Sequence, residues 1–442
     1  MRKNRENQMR LSPLWPNHQL SDELQMMSQI LDDNPETLEL LLQDLSDESD
    51  PANGSPGMSA EQVLRAGVIK SWHQISYQKL AFHLGDSMSF RKFCRLPLGW
   101  TPTKSCLQEN ISRIPASSWQ KVNQQLIGWA AEKGLEKGEK IRGDATVVKS
   151  DIRHPLDSQL LYDSMGKITS LLRDLSQYHP VIYSDHCRRA KRRLTNLRNA
   201  RGQTNKRVFY RDLLKVAKKT AHYARLALEG AWDWGDVPSL VIVAKLHHYL
   251  ELMQRVIDQT KRRVLQSQGV PAAEKVVSIF EEHTDIIQKG GRETTFGHKV
   301  YLTCGKTSLI LDCRVLKGNP DDRGQMKPMF ERHFEQYGYY PRQGSFDGGF
   351  ASRENLEWAK KQGVQDVAFA KKRNLKVPDM VRSSWVYRQL RRFRAGIEGC
   401  ISTLKRVFGA DRCTWKGWEH FQQYVHLSVL SFNLLVLARL LL

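Results

Sequence analysis

The sequence contains no C-x-x-C pair, and its seven cysteines are scattered along 442 residues. This distribution indicates neither a disulfide framework nor a zinc site. Acidic residues are scarce as well, because 47 Asp and Glu stand against 68 Lys and Arg and leave a formal net charge of +21. We therefore expect mostly buried thiols in a reducing compartment and a polyanionic partner.

The sequence also lacks a long uninterrupted apolar run. Residues 425–442 form the most apolar stretch, but His426, Ser431 and Arg439, among other polar residues, interrupt it. A membrane span needs about 20 mostly apolar residues, so this stretch predicts a buried terminal helix. The first 20 residues contain no apolar core of a signal peptide. A secreted or membrane protein is therefore not expected, and we predict a cytoplasmic one.

The first part of the chain has helical patterns. A helical stretch at 21–45 leads into an acidic segment rich in Ser, Gly and Pro at 47–59, which is typical of a linker. Ser59 then begins a helix with Gln62 three residues further on, the spacing of a capping box. Helical periodicity continues to residue 133. The predicted segments are an N-terminal helical segment with its linker at 1–58 and an all-helical domain at 59–135.

An α/β unit follows, and a helical stretch splits it. The segment KIRGDATVV at 140–148 has the composition of a strand, yet the other strand-like segments all come after residue 297. The residues between them follow a long, charged helical pattern. We therefore expect an α/β fold whose mixed sheet is interrupted by a large helical insertion. The predicted boundaries are 136–165 for the first part of the core, 166–297 for the basic insertion and 298–442 for the second part.

Three acidic residues stand out by their surroundings. Asp144 lies inside a strand where an apolar residue is usual, and Asp347 precedes Gly348 and Gly349, which permit close backbone approach. Glu398 is an isolated acid on a strongly basic helix. Carboxylates from two strand ends and a facing helix can converge to hold two divalent cations. Such a pair of ions activates the attacking oxygen and stabilises the leaving oxygen in phosphodiester cleavage.

Each of these residues also has an ordinary structural interpretation. A single Asp in a strand is commonly a hydrogen-bonded edge residue, and Asp-Gly-Gly is a common turn. Glu398 has the spacing of an i,i+4 ion pair with Arg394. Asp312 is open to both a structural and a functional interpretation, and Asp321 and Asp322 are predicted to cap the helix that follows them. Only the combination with the basic composition and the split α/β unit favours a metal site.

Four segments, in this order, resemble the DDE transposases of bacterial insertion sequences: GDATVV, HPLDSQLLYDS, GSFDGGFAS and RQLRRFRAGIEGCISTLKRVFG. The similarity is greatest to the group catalogued as ISNCY-like, and it covers roughly 144–164 and 299–437. A weaker similarity relates ISYQKLAFHLGDSMSFRKFCRL to the N-terminal domain of these enzymes. The resemblance implies an RNase H-like fold that presents an Asp–Asp–Glu triad to two divalent ions, Mg²⁺ or Mn²⁺.

The resemblance places this catalytic and metal-binding triad on Asp144, Asp347 and Glu398. Related transposases carry Tyr-x2-Arg-x3-Glu-x6-Lys around the glutamate. The chain matches this motif at Arg394, Glu398 and Lys405, whereas Arg391 occupies the position of the tyrosine. The spacing puts the three matching residues on one face of a helix, where cations flank the carboxylate and can contact DNA phosphates. The role of the motif tyrosine does not carry over.

Further basic residues are predicted to contact DNA. Residues 188–207 hold nine Lys or Arg and no acid, so they favour a polyanion, with a solvated helix face as the alternative. The segment KKRN at 371–374 follows the last strand and is expected to position the scissile strand. Trp415 and Trp418 either stack on a base or anchor the terminal helix. The predicted DNA-contacting residues are Arg188, Arg189, Arg192, Arg193, Lys371, Lys372, Arg391, Arg394 and Lys405.

The resemblance implies a transposase that binds double-stranded DNA at the terminal inverted repeats of its own element, through the domain at 59–135. It would cut the DNA ends and join them to target DNA, as a homodimer on the nucleoid of a bacterial cell. Two alternatives remain open. One is a non-catalytic DNA-binding protein derived from such an enzyme, and the other is an RNase H-like nuclease that cuts without joining.

Overall fold

The computed structural model of the chain describes residues 15–46, 57–234, 236–288 and 294–442. The chain divides into two compact units. The first comprises Met1–Asp151 and Asp285–Leu442, and the second comprises Ile152–Thr284. The second unit therefore interrupts the sequence of the first, and it overlaps the insertion predicted at 166–297. The predicted domain boundaries themselves stay predictions.

Before its first strand, the described part of the first unit is helical. The helices are α1 (Gln19–Asp32), α2 (Glu36–Ser46), α3 (Ala60–Trp72), α4 (Tyr77–Asp86), α5 (Met88–Phe93), α6 (Lys104–Arg113) and α7 (Ala116–Glu132). The capping box is confirmed, because Ser59 Oγ accepts a hydrogen bond from the N–H of Gln62 and the Gln62 side chain accepts one from the N–H of Ser59. The stretch predicted as one helix at 21–45 is two helices. Pro35 disfavours helical backbone in Asn34 and ends the first.

Residues 47–56 of the predicted linker lie outside the described residues.

The strands form one sheet in the first unit. They are β1 (Lys140–Lys149), β2 (Asp285–Ile287), β3 (Thr295–Cys304), β4 (Ile310–Leu316), β5 (Gln343–Phe346) and β6 (Asp366–Phe369). On one side β1 pairs antiparallel with β3, which in turn pairs antiparallel with both β2 and β4. On its other side β1 pairs parallel with β5, and β5 pairs parallel with β6. The sheet is therefore mixed, and β1 lies where the antiparallel and parallel parts meet.

The second unit is helical and has a core of its own. Its helices are α8 (Asp157–Leu175), α9 (Cys187–Asn199), α10 (Gln203–Glu229) and α11 (Val237–Thr260). Leu161, Ile168, Leu213 and Met253 are fully buried in one apolar cluster. Removing such side chains from water is the main contribution that holds helices together.

The remaining helices of the first unit cover and support the sheet. They are α12 (Met326–Tyr337), α13 (Arg353–Lys361), α14 (Val377–Met380), α15 (Ser384–Val407) and α16 (Trp418–Leu441). Helix α16 is long and apolar enough to cross a membrane, but 72% of its most apolar 18-residue window is buried. Asn433 in that helix exchanges two hydrogen bonds of 2.8 Å with the backbone of Ile310 in β4. The prediction of a buried terminal helix is therefore confirmed.

The cysteines and Trp418 lie where an apolar interior would place them. All seven cysteines are free thiols, and five of them are buried. The Trp418 ring stacks on Phe421 at a centroid distance of 6.3 Å and lies 4.7 Å from the ring of His298. This packing favours the interpretation of Trp418 as an anchor of α16 rather than a stacking platform for a base.

Candidate active site

The register of the sheet places Asp144 and Asp347 side by side. The last paired residues of the parallel strands β1 and β5 are Gly143 and Phe346. Asp144 directly follows Gly143, and Asp347 directly follows Phe346. A methyl group at Gly143 would lie 2.5 Å from the ring of Phe346, so only glycine allows the two strands this approach. Asp144 Oδ1 accepts a hydrogen bond of 2.7 Å from the N–H of Ala145. The Asp144 side chain is 17% exposed, whereas that of Asp347 is 46% exposed.

The glycines after Asp347 serve a close approach, as the sequence predicts. A side chain at Gly348 would begin 2.6 Å from Cβ of Lys371, and one at Gly349 would begin 2.6 Å from Oδ2 of Asp322. Neither glycine has a positive φ, so the space beside them, rather than a left-handed turn, requires glycine. The backbone and Cβ of Lys371 therefore lie directly beside the turn that follows β5.

Helix α15 supplies Glu398 and a guanidinium that contacts all three acids. Arg394 Nη2 lies 3.0 Å from Asp144 Oδ2 and 3.8 Å from Asp347 Oδ1. Its Nη1 donates to Glu398 Oε1 at 3.1 Å. The Arg394 side chain is only 17% exposed, and its Nε is buried without a hydrogen-bond partner in the described part of the chain. The structure thus brings the three predicted residues together around one cation, and the i,i+4 ion pair expected as the alternative is present as well.

The donor set of this cluster suits a hard cation. Three carboxylates from two strand ends and one helix supply the oxygen ligands that Mg²⁺ and Mn²⁺ prefer. Within the described residues no group of three His, Cys, Asp or Glu side chains is arranged to hold a metal ion. Arg394 instead lies between the carboxylates and partly offsets their negative charge. The three carboxylates therefore suit a divalent metal by their chemistry. In this structure the Arg394 guanidinium is the positive charge that lies among them.

A family model described as a transposase DDE domain matches residues 253–434, and one described as a transposase domain (DUF772) matches residues 15–113. The chain belongs to the DDE transposases. The DDE match includes Asp347, Arg394 and Glu398, whereas Asp144 lies before it. The second match runs across the predicted boundary at residue 58. No curated protein and no solved structure matches the chain.

The protein is thus a DNA transposase enzyme of an insertion sequence. The narrower assignment to the ISNCY-like group is tested by neither match and stays a prediction.

Arg142 is a residue of the transposase that sequence reasoning missed. It is buried in β1, where its Nη1 donates to the carbonyl of Phe393 at 3.0 Å and its Nη2 donates to Ser308 Oγ at 2.8 Å. A methyl group at Gly396 would lie 1.9 Å from Arg142 Nη1, so α15 comes directly against the guanidinium. Arg142 therefore fixes the turn of α15 that carries Arg394. The signal was a charged residue in the interior of β1, two positions before Asp144.

The other acids near the sheet have structural partners. Asp312 pairs with Arg332 at 2.7 Å, and both side chains are largely buried, which makes it a structural residue. Asp321 occupies the N-cap position of a short 3-10 turn, Asp322–Gln325, but its side chain makes no capping hydrogen bond there. The N-cap residue of α12 itself is Gln325, so the prediction that this helix is capped by Asp321 or Asp322 is wrong. Asp322 has a different role. Its Oδ1 instead accepts hydrogen bonds from the Tyr301 hydroxyl at 2.8 Å and from Lys299 at 3.2 Å. Asp322 therefore ties the loop before α12 to β3.

The basic residues predicted beside the site are mostly exposed in the transposase. Lys371, Lys372 and Arg391 are exposed, and the last two lie over the ring of Tyr387, at 5.6 Å and 5.9 Å from its centroid. Tyr387 itself donates its hydroxyl to the carbonyl of Phe369 at 2.9 Å, so it serves the fold. These cations lie on the face of the first unit that carries the end of β6 and the start of α15.

The basic run in the second unit has an acidic partner that the sequence pattern did not reveal. Arg189 and Arg193 on α9 both donate to the carboxylate of Asp212 on α10. Arg188 and Arg192 are exposed. One carboxylate shared by two arginines leaves an excess of positive charge on this face. Asp212 therefore reduces the repulsion among the cations of α9 but does not remove it. That repulsion was the reason to expect a polyanionic partner.

Proposed function

We propose that the transposase binds the terminal inverted repeats of its own element, cuts the DNA ends and joins the freed 3′-hydroxyl groups to target DNA. It acts on double-stranded DNA as a homodimer in the bacterial cytoplasm. The catalytic fold is RNase H-like, as the DDE family implies. A sheet in which β1 lies between an antiparallel β3 and a parallel β5 supports this fold.

The convergence of Asp144, Asp347 and Glu398 on Arg394 is the observation that carries the proposal. The three acids come from positions 203 and 51 residues apart in sequence, yet all lie within 3.8 Å of one guanidinium. Surface ion pairs form easily between sequence neighbours such as Arg394 and Glu398. A partly buried arginine that also contacts two acids from distant strand ends needs a fold that collects negative charge at one point. Such a point is what metal-dependent phosphodiester chemistry requires.

The three carboxylates would hold two Mg²⁺ or Mn²⁺ ions, which when bound activate the attacking water or 3′-hydroxyl and stabilise the leaving oxygen. Asp144 and Asp347 define the more rigid part of the site, because the register of β1 and β5 sets their positions. Glu398 is the most exposed of the three, at 65%, and is therefore the carboxylate most accessible to a ligand from solvent. Arg394 partly offsets the charge of the acids until a DNA phosphate competes for the same guanidinium.

Cleavage of plasmid DNA that carries the ends of the element tests the proposal. In the full-length chain, Asp144→Asn, Asp347→Asn and Glu398→Gln should each lower Mg²⁺-dependent strand cleavage by about a hundredfold or more. Glu357→Gln is a matched control, because Glu357 is 68% exposed and forms an i,i+4 pair with Arg353 at 3.0 Å. Full activity in all three site variants would refute the assignment.

The same assay separates joining from cutting. A transposase should produce strand-transfer products with target DNA, and these should disappear together with cleavage in the three variants. Cleavage without transfer products would favour the RNase H-like nuclease. DNA binding without cleavage, in the presence of Mg²⁺ and of the correct ends, would favour the non-catalytic DNA-binding protein.

A further inference from the structure

A cleft of about 500 Å³ lies in the first unit between the connection of α3 to α4 and the segment that follows α15. We call it the Lys70 cleft. Its lining includes Lys70, Ser71, Gln74, Lys405, Arg412 and Trp415. Three of these residues are cations. Asp411 is the acid in the lining, and it lies 3.1 Å from Lys149 and 3.8 Å from Lys405, so its charge is compensated.

Lys70 is a buried cation without a carboxylate. The residue is only 8% exposed, and its Nζ lies 4.5 Å from the ring centroid of Tyr77 and 5.3 Å from that of Trp415. Within the described part of the chain no ion pair or hydrogen bond of its ammonium group is present. Burial lowers the pKa of Lys70 to about 8. The nearby Cys413 favours the ammonium form but does not offset its burial. A buried ammonium group without a carboxylate is costly, and an anion that enters the cleft would compensate it.

Other donors around Lys70 also have no acceptor. Ser71 Oγ, Tyr77 Oη and Trp415 Nε1 are buried, and the described residues offer them no hydrogen-bond partner. Ser71 and Trp415 line the cleft, and Tyr77 packs on both Lys70 and Trp415. Each of these groups can donate a proton to a hydrogen bond. A set of donors around a cation, all without acceptors, matches a ligand that has several acceptor oxygens and negative charge.

The cleft is joined to the helix that carries Glu398. Lys405 lies seven residues after Glu398, which corresponds to about 10.5 Å along the same face of α15. At the end of α15, the Gln74 side chain donates to the carbonyl of Val407 at 3.0 Å. Gln74 has a φ of +50°, a conformation that a non-glycine residue keeps only where its surroundings hold it. The wall of the cleft is therefore fixed to α15.

We propose that the Lys70 cleft binds a phosphodiester group of the DNA strand that runs along α15 from the three carboxylates. Lys70 supplies the charge, Ser71 and Trp415 donate hydrogen bonds, and Lys405 contacts the same strand from the helix. The identity of the ligand as DNA rests on the proposed function. The existence of a phosphate site in the cleft rests on Lys70 and the donors around it.

DNA-binding measurements on the full chain test this site. The probes are a single strand of 20 nucleotides and the corresponding duplex, of arbitrary sequence, because a phosphate contact does not read bases. Lys70→Met should weaken binding about tenfold at low salt and lower the slope of log K against log salt by about one. Lys133→Met is a matched control, because Lys133 also lies over an indole ring, 5.9 Å from Trp129, but is exposed. The control should bind like the parent chain.

Titration with inorganic phosphate and with thymidine 5′-monophosphate, followed by calorimetry, distinguishes the source of the phosphate. Weak binding of these probes that Lys70→Met abolishes, together with weaker DNA binding, supports the proposal. Loss of the small-probe binding with unchanged DNA affinity would overturn it in favour of a free anion. No change with any probe would show that the cleft binds no phosphate.

The failure of this site and the failure of the proposed function give different results. The DNA measurements are made in the Asp144→Asn chain without divalent metal, so they do not depend on cleavage. If Lys70→Met weakens DNA binding but the parent chain does not cleave DNA with Mg²⁺, only the catalytic proposal is contradicted. Normal cleavage with no Lys70 effect in any binding assay would contradict the cleft only. Thermal unfolding of each variant checks that it is folded.

Discussion

The Arg394 guanidinium lies 3.0 Å from Asp144 Oδ2, although the two residues are 250 positions apart in sequence. The same side chain reaches Asp347 and Glu398, so one cation of α15 occupies the space toward which all three carboxylates point. With three negative charges and one positive charge, the cluster keeps a net charge of −2. The arginine therefore lowers the repulsion among the acids and competes with any metal ion for their oxygens.

Replacing this arginine should strengthen metal binding in the absence of DNA. In Arg394→Gln the carboxylates lose their internal counter-ion, so Mn²⁺ affinity should rise about tenfold or more, measured by calorimetry or by the electron paramagnetic resonance of free Mn²⁺. DNA cleavage should fall in the same variant if Arg394 contacts a phosphate. The readout on metal alone does not depend on that activity.

Arg332→Gln is the control for the metal measurement, because it removes an arginine from another buried ion pair of the same unit. It should leave Mn²⁺ affinity unchanged. Equal affinities in the parent chain and in Arg394→Gln would show that the guanidinium does not compete with the ion.

Two glycines of α15 offer a matched test of how Arg142 supports the site. A methyl group at Gly396 would lie 1.9 Å from Arg142 Nη1, whereas one at Gly399 would meet no atom within 4 Å. Gly396→Ala should lower the free energy of unfolding by about 1–3 kcal/mol, because Arg142 is buried and held by hydrogen bonds. Gly399→Ala should raise it by up to about 1 kcal/mol, as alanine does in a helix.

Urea denaturation measures both glycine variants. Gly396→Ala should also lose DNA cleavage at temperatures where it is fully folded, since a shift of α15 moves both Arg394 and Glu398. Equal stabilities for the two variants would mean that Arg142 moves aside at no cost and does not position the helix.

The elements of the fold were predictable because their signals are local. A capping box began α3, a β-branched run gave β1, and glycines marked the close approach after Asp347. The contacts of Arg394 were predictable only in part. Its ion pair with Glu398 follows from the i,i+4 spacing, but its contact with Asp144 depends on how α15 lies on the sheet. No pattern within the sequence encodes that placement.

Partners that are distant in sequence were missed for the same reason. The basic run at 188–207 contains no acid, yet Asp212 on the next helix binds two of its arginines. Lys70 likewise carries no signal of its own in the sequence, because nothing near it shows that Tyr77 and Trp415 enclose its ammonium group. Helix packing decides these contacts, and packing is read from structure.

The second unit should respond to the removal of Asp212. Asp212→Asn leaves Arg189 and Arg193 without their carboxylate, so non-specific DNA affinity at low salt should rise about threefold. Asp258→Asn removes the same charge from α11, where Asp258 is 62% exposed and pairs with Arg262 at 3.5 Å, and should have a smaller effect. Fluorescence anisotropy with a labelled duplex measures all three proteins. Equal affinities would indicate that the face of α9 does not meet DNA.

Because Lys70 is buried without a carboxylate, it should make the free energy of unfolding depend on pH. The Lys70→Met variant should lose this pH dependence. The pKa of Lys70 is lowered by burial from 10.5 in the unfolded chain to about 8 in the folded one. Between these values the unfolded chain binds more protons, so this group contributes a stability that rises with pH. Below pH 8 both states carry the charge, and the burial penalty of about 3 kcal/mol is present in full.

Lys70→Met should therefore be more stable than the parent chain at pH 7, by about 1–3 kcal/mol once the lost contacts with the rings of Tyr77 and Trp415 are subtracted. The difference should shrink as the pH rises through 8 and should nearly vanish near 10.5. Cys413, Lys405, Asp411 and Arg412 also face or line the cleft, but both proteins contain them, so their titration largely cancels. Urea unfolding at pH 7, 8.5 and 10 measures the difference. A difference that stays constant over this range would show that Lys70 is not a buried charge in solution.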